Sequence, residues 1–88
     1  MVNEVAKRVE EFVRERFRVR ADDTEFGTEV NLWELGYVDS VGAVEMIVHL
    51  EQNYGIQLPE EVLFDPDFTN IRGIARLVVR TIDAAAAA

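Results

Sequence analysis

The first twenty residues alternate apolar and charged side chains with the period of an α-helix. Apolar residues recur three or four positions apart, at Val2, Val5, Val9, Phe12, Val13 and Phe17. Between them, the pairs Glu4–Arg8 and Glu10–Arg14 place opposite charges four residues apart, in the order that stabilises a helix. This pattern predicts an amphipathic helix over residues 2–18.

The apolar period is lost over residues 19–38, which are predicted to form a long connection. Within it, NLWELG (31–36) predicts one short helical turn that Asn31 caps and Gly36 ends. Two leucines of that turn are expected to hold the connection on the core: Leu32 and Leu35. Connections longer than about 12–15 residues are uncommon in compact domains and are usually functional.

A second helical pattern occupies residues 39–54. Asp39 suits the N-cap position, and Gly55 suits the position that follows the last turn. The segment PEEVLF (59–64) then predicts a short third helix. Its apolar residues are expected to face inward: Val62, Leu63 and Phe64.

A fourth helix is predicted after a cap at Thr69 or Asn70, with inward residues Ile71, Ile74, Ala75, Val78 and Ile82. No segment shows the alternation of a β-strand. The predicted fold is therefore an all-α four-helix bundle with a short third helix and a long loop between helices one and two. A chain of 88 residues predicts a single domain, over residues 1–83, and the alanine-rich tail 84–88 is expected to be disordered.

The composition excludes several kinds of protein. The chain has no cysteine, which rules out disulfides and thiolate metal sites. No apolar run approaches the roughly 20 residues of a membrane span. The first residues lack the apolar stretch of a signal peptide. We therefore expect a cytoplasmic monomer that does not enter a membrane.

Acidic side chains dominate the middle of the chain. Residues 1–20 contain six basic and four acidic side chains, whereas residues 21–70 contain twelve acidic and no basic ones. Such a block repels nucleic acid and anionic lipid, and it attracts basic protein surfaces over long range. Acidic side chains that only keep a small domain in solution would look the same, so the charge pattern leaves both interpretations open.

The second helix carries two rows of apolar residues. One row is sufficient to bury the helix, and we name it the inner face: Ala43, Met46, Ile47, Leu50 and Tyr54. The other row, with acidic neighbours Glu45 and Glu51, we name the outer stripe: Val41, Val44 and Val48. A central helix would bury both rows, whereas a docking helix would leave the outer stripe for a partner. The position of the stripe directly after Ser40 favours docking.

Ser40 is the only serine, and it follows Asp39 at the start of this helix. Three roles compete for Ser40: a structural residue of the helix N-terminus, a hydrolytic nucleophile and a modification site. A nucleophile needs a base within reach, but the only histidine, His49, lies about two and a half turns further along the helix. A phosphodiester on Ser40 would lie at the positive end of the helix. The residues alone leave the structural role and the modification open.

The stretch LWELGYVDSVGAVEMIVHLEQNYGIQLP resembles the core motif of the acyl carrier protein and peptidyl carrier family. The shared pattern runs through Leu35–Gly36, Asp39–Ser40, Val41, Val44–Glu45, Leu50–Glu51, Tyr54 and Leu58–Pro59. The first and last helices also match in length and position, so the resemblance covers nearly the whole chain. It implies a helical bundle of acyl-carrier type.

The resemblance implies that a separate phosphopantetheinyl transferase attaches 4′-phosphopantetheine from coenzyme A to Ser40. The thiol of this arm then holds an acyl or aminoacyl group as a thioester, so the chain is expected to carry substrates and not to be an enzyme. Asp39 corresponds to the acidic residue beside the modified serine. Further expected partners are acyl-loading and acyl-processing enzymes with basic docking surfaces. The family's partner surface corresponds to Val41, Val44, Glu45, Val48 and Glu51.

Two residues, Tyr37 and Val38, separate Gly36 from the Asp-Ser pair, where fatty-acid-synthesis carriers typically have one. The longer form is more similar to freestanding carriers of secondary metabolism and to D-alanyl carriers. A discrete acyl carrier of polyketide or mixed polyketide–peptide biosynthesis is therefore expected. The alternatives are an aminoacyl carrier of peptidyl or D-alanyl type, and an acidic helical interaction module without a prosthetic group.

The segment FDPDF (64–68) raises the question of a metal site because it contains Asp65 and Asp67. Pro66 lies between them and no ligand-rich loop surrounds them, so a solvated turn is expected instead. The segment is slightly longer than in fatty-acid carriers, which makes it a candidate for tuning partner choice or contacts with the acyl group.

Overall fold

The computed structural model describes residues 1–87, and every regular element within them is helical. The α-helices are α1 (Val2–Arg16), α2 (Ser40–Tyr54) and α3 (Ile71–Ala87). Two short 3-10 helices lie between α2 and α3, over Glu60–Phe64 and Pro66–Thr69. The predicted all-α class is confirmed, but the described residues form three α-helices where the sequence predicted four.

The predicted third helix is wrong in its form. In its 3-10 turns, the Val62 N–H donates to the Pro59 carbonyl and the Asp65 N–H donates to the Val62 carbonyl, both at 3.0 Å. Asp65 is extended and Pro66 has no N–H with which to continue a helix, so the first 3-10 helix ends at Phe64 and a second, which the sequence did not predict, begins at Pro66. Val62 is buried as predicted, but Phe64 is 87% exposed instead of facing inward.

The core lies between α1, α3 and the inner face of α2. α1 and α3 each contribute one side of buried residues: Val5, Ala6, Val9 and Val13 of α1, and Ile71, Ile74, Ala75, Leu77 and Val78 of α3. The inner face of α2 is buried at Ala43, Met46, Ile47 and Leu50, and Tyr54 packs against the same cluster at the end of the helix. The predicted assignment of this row to the core is confirmed.

Left-handed backbone conformations follow the ends of the first two helices. α1 ends at Arg16, shorter than predicted, and Arg18 turns the chain away with a φ of 54°. α2 ends at Tyr54, where Gly55 adopts a φ of 62° and donates its N–H to the Glu51 carbonyl at 2.9 Å. The predicted role of Gly55 as the residue that ends α2 is confirmed.

The long connection between α1 and α2, residues 17–39, contains the predicted turn, although it is not a regular helix. Asn31 Oδ1 accepts hydrogen bonds from the N–H groups of Trp33 and Glu34, both at 3.0 Å. Gly36 ends the turn with a φ of 80°, a conformation that glycine adopts readily. The cap and the end of the turn are where the sequence predicted them.

Only one of the two leucines of this turn holds the connection on the core. Leu32 is buried, and its N–H donates to the Thr69 carbonyl at 2.8 Å. Leu35 is 45% exposed, so the prediction for it is wrong. The Leu32–Thr69 bond places the connection beside the second 3-10 helix, on the approach to the start of α2.

The start of α3 lies directly against the second 3-10 helix. Asn70 is the cap, since its Oδ1 accepts from the Gly73 N–H at 2.7 Å. A Cβ at Gly73 would collide with the Asp67 carbonyl oxygen, so this close approach requires glycine. α3 continues through the alanines to Ala87, where the sequence predicted a disordered tail, and Ala88 lies outside the described residues.

Candidate functional site

Ser40 is the first residue of α2, and it is exposed. The preceding Asp39 is extended, and its Oδ1 accepts from the Gly42 N–H at 2.8 Å. Asp39 is therefore the N-cap, and the Ser40 hydroxyl is not required for that role. The hydroxyl lies at the end of α2 where backbone N–H groups and the helix dipole favour an anion.

His49, the only histidine, does not act as a catalytic base for Ser40, because its ring is held by other residues. The His49 ring contacts the edge of Phe12, with ring centroids 3.9 Å apart, and Asn53 Nδ2 lies 3.2 Å from His49 Nδ1. Burial lowers the pKa of His49. The imidazole is thus engaged on the α1 side of α2, and it cannot reach the hydroxyl at the start of the helix.

A groove of about 370 Å³ opens beside Ser40, which is one of its lining residues. Its walls come from the long connection and from the segment of 3-10 helices: Trp33, Leu63, Phe64, Asp65, Pro66 and Thr69. Trp33 is fixed in the wall because its Nε1–H donates to the Phe68 carbonyl at 3.1 Å. Ser40 is therefore positioned at the edge of a largely apolar groove on the surface.

The outer stripe of α2 is open to solvent. Val41 is 68% exposed, Val44 51% and Val48 44%, whereas the inner face is buried. The alternative in which a central helix buries both rows is therefore excluded within this chain. Because single exposed apolar residues are common but an aligned row is not, the stripe is a candidate contact surface.

The acidic residues beside the stripe already have partners within the chain. Glu45 forms an ion pair with Arg16 of α1. Glu51 Oε2 accepts from the Leu58 N–H at 2.9 Å and so holds the turn that follows α2. The sequence predicted that both carboxylates lie beside the outer stripe. The structure shows in addition that each one binds a group within the chain.

The chain that leads into Ser40 is anchored by Tyr37. Its hydroxyl donates to Asp23 Oδ2 at 2.7 Å, and its ring packs edge-on against Phe26 with centroids 5.1 Å apart. The hydrogen bond to Asp23 raises the pKa of Tyr37 to about 12 and lowers the pKa of the Asp23 carboxyl. With Val38 buried, the residues between Gly36 and Ser40 are firmly held.

Asp65 and Asp67 lie in ion pairs instead of a freely solvated turn. Asp67 is bound by Arg80 at 2.6 Å and by Arg76 at 3.3 Å, and Arg80 also lies 3.7 Å from Asp65. The hydrogen bond from Arg80 lowers the pKa of Asp67. Residues 1–87 contain no cluster of three carboxylates or imidazoles that could hold a metal ion.

Sequence reasoning missed several residues of this site. The exposure of Phe64 and the placement of Trp33 in the groove depend on contacts between distant segments. The Arg16–Glu45 pair joins residues 29 positions apart, for which no local pattern gives a signal. The length of the FDPDF segment was the one sequence feature that pointed to this part of the groove.

Comparisons with known proteins point to one family. A family model described as a phosphopantetheine attachment site matches residues 7–78. The D-alanyl carrier protein of Lacticaseibacillus casei (strain BL23) is 33% identical over 39 residues, which are 44% of this chain and 48% of that protein. The match thus spans about half the length of that relative.

In residues 1–87, no helix is both long and apolar enough to cross a membrane.

Proposed function

Because the chain belongs to the phosphopantetheine attachment family, whose model covers residues 7–78, we propose that Ser40 is the residue that carries 4′-phosphopantetheine. Domains of this family hold that group covalently and act as substrate carriers and not as catalysts. The observation that carries the proposal is the exposed hydroxyl of the only serine, at the first position of α2 within the matched span.

The surroundings of Ser40 fit such a group. The start of α2 favours the negative charge of a phosphodiester, and Asp39 turns its carboxylate to the Gly42 N–H. The groove gives apolar contacts from Trp33 and Phe64 and a polar edge at Thr69, as an amide-containing chain requires. When bound, the group supplies a thiol on which cargo is held as a thioester.

The outer stripe is proposed as the partner surface. Domains of this family interact with phosphopantetheinyl transferases and with enzymes that process the carried group. Val41, Val44 and Val48 supply an exposed apolar row that begins next to Ser40. Glu45 and Glu51 border this row, which supports docking of enzymes with cationic surfaces.

For the cargo, we propose an acyl group of a polyketide or mixed polyketide–peptide pathway, supported by the two residues between Gly36 and Asp39, a spacing that resembles freestanding carriers of secondary metabolism. D-alanyl carriers share this spacing. The partial match to a D-alanyl carrier protein favours an aminoacyl cargo as the second candidate. Incubating the modified protein with an acyl-loading enzyme or with a D-alanine-activating enzyme distinguishes them. Intact mass shows which group is added, and loading of D-alanine alone would reject the acyl proposal.

The attachment proposal is tested by coexpression with a phosphopantetheinyl transferase, followed by intact mass spectrometry. We expect one arm per chain in the wild type and in Thr69→Ala, and none in Ser40→Ala. Thr69→Ala is the matched control because it removes another hydroxyl that lines the same groove. Modification that persists in Ser40→Ala would overturn the assignment, and an unmodified wild type would favour an interaction module without a prosthetic group.

A further inference from the structure

The ion pair between Arg16 and Glu45 occupies one of the two carboxylates that border the outer stripe. Arg16 lies in the last turn of α1, and its guanidinium contacts Glu45 Oε2. The two side chains are 55% and 36% exposed, so a partner can reach them. The carboxylate beside the stripe is therefore partly neutralised before any partner arrives.

Contacts on both sides of the pair fix its position. On the Ser40 side, the Phe17 ring lies so close to Gly42 that a Cβ there would be 2.5 Å from Phe17 Cε1. On the other side, the rings of Phe12 and His49 are in edge contact. Because α2 is in contact with Phe12 of α1 and with Phe17 directly after α1, Arg16 is kept opposite Glu45.

We propose that Arg16 is a specificity-determining residue that competes, from within the chain, with the cationic side chains of partner enzymes for Glu45. This inference rests on the proposed function, because it assigns a role to the partner surface of a carrier. A partner that brings an arginine or lysine to Glu45 must displace Arg16 or bind a carboxylate that is already paired. Partners that rely on apolar contact with Val44 and Val48 are not opposed in this way.

The test compares Arg16→Gln with Arg20→Gln as substrates of a phosphopantetheinyl transferase. Both changes remove one positive charge, but Arg20 pairs with Asp22 in the long connection instead of with α2. We expect Arg16→Gln to lower the KM of the transferase by about two- to fivefold relative to Arg20→Gln, the scale of an exposed ion pair. The kcat should not change, and thermal melts confirm that the variants remain folded.

A double variant decides whether Arg16 acts through Glu45. In the Glu45→Gln background, Arg16→Gln should not lower the KM, because the carboxylate for which Arg16 competes is absent. An equal decrease with and without Glu45 would overturn the proposal. Equal KM values for Arg16→Gln and Arg20→Gln would overturn it as well, since only net charge would then matter.

A second readout needs no transferase. A short arginine-rich peptide is titrated into each variant, and binding is followed by the NMR signals of the Val44 and Val48 methyl groups. We expect tighter binding to Arg16→Gln than to Arg20→Gln, and equal binding would reject the competition. If the transferase leaves wild-type Ser40 unmodified, the proposed function fails, whereas the peptide titration still decides the role of Arg16.

Discussion

The two apolar faces of α2 are built from similar side chains but have different surroundings. Ile47 and Leu50 of the inner face are buried in the core cluster that also contains residues of α1 and α3, whereas Val44 and Val48 of the outer stripe contact solvent. Val44 directly precedes Glu45 and Val48 directly precedes His49, and both of these polar residues contact α1. Apolar character alone therefore does not decide burial, and the difference separates residues that stabilise the fold from residues available to a partner.

Leu50→Ala should give the largest effect, a loss of about 2–5 kcal/mol in the free energy of unfolding, because it leaves a cavity in a small core. Leu50 is fully buried on the inner face. Denaturant melts measure this loss, with Val48→Ala as the matched control on the same helix. A cost near zero would mean that the inner face is not the core side of α2.

Glu51→Ala should give an intermediate effect, because it removes the acceptor of the Leu58 N–H and frees the turn after α2. We expect a loss of about 1.5–3 kcal/mol in the free energy of unfolding, the range for a hydrogen bond to a charged group. Glu51→Gln keeps an oxygen that can accept this bond, so it should lose less stability. If both variants are as stable as the wild type but bind partners more weakly than it does, the Glu51 carboxylate serves the partner surface alone.

Val44→Ala and Val48→Ala should each change the free energy of unfolding by less than about 1 kcal/mol, because exposed side chains tolerate truncation. If the outer stripe binds partners, both variants should raise the KM of the transferase at Ser40. Melts and transferase kinetics on the same samples separate the two quantities. Losses of stability equal to that of Leu50→Ala would place the stripe in the core instead.

The smallest effect concerns His49, between the two faces. Burial lowers its pKa below the ordinary value of 6.5. Between the folded-state pKa and about pH 6.5, His49 of the unfolded chain therefore binds a proton that the folded chain does not. The contribution of His49 to the free energy of unfolding is fully present above about pH 6.5 and is lost as the pH falls toward the folded-state pKa. Melts across this range should show a smaller decrease for His49→Gln than for the wild type. Identical pH dependence would show that His49 does not contribute.

Much of the fold was predictable because its causes are local. The period of apolar residues in α1, the Asp39 cap and the Gly55 terminator each depend on residues within a few positions. The third element could not be predicted in the same way. Its apolar residues suggested a helix that faces the core, but the segment forms only 3-10 turns, and the Phe64 side chain lies in solvent.

The candidate site divides similarly. Ser40 and the outer stripe were recognisable from the motif and its spacing, and the structure shows that both are exposed. The groove was not predictable in detail, because Trp33 and Phe64 come from segments that meet only after folding. The charge pattern was also incomplete, since the acidic block meets arginines of both flanking helices in space.

The sequence by itself determined the helical class, the starts and ends of α2, its two apolar rows and the serine at its head. These features follow from backbone propensities and hydrogen bonds between near neighbours. Only the tertiary structure decided that Glu45 pairs with Arg16, that Glu51 holds Leu58 and that Phe64 borders the groove. The physical reason is that such contacts depend on how the helices pack, and one apolar period is compatible with several arrangements of their polar edges.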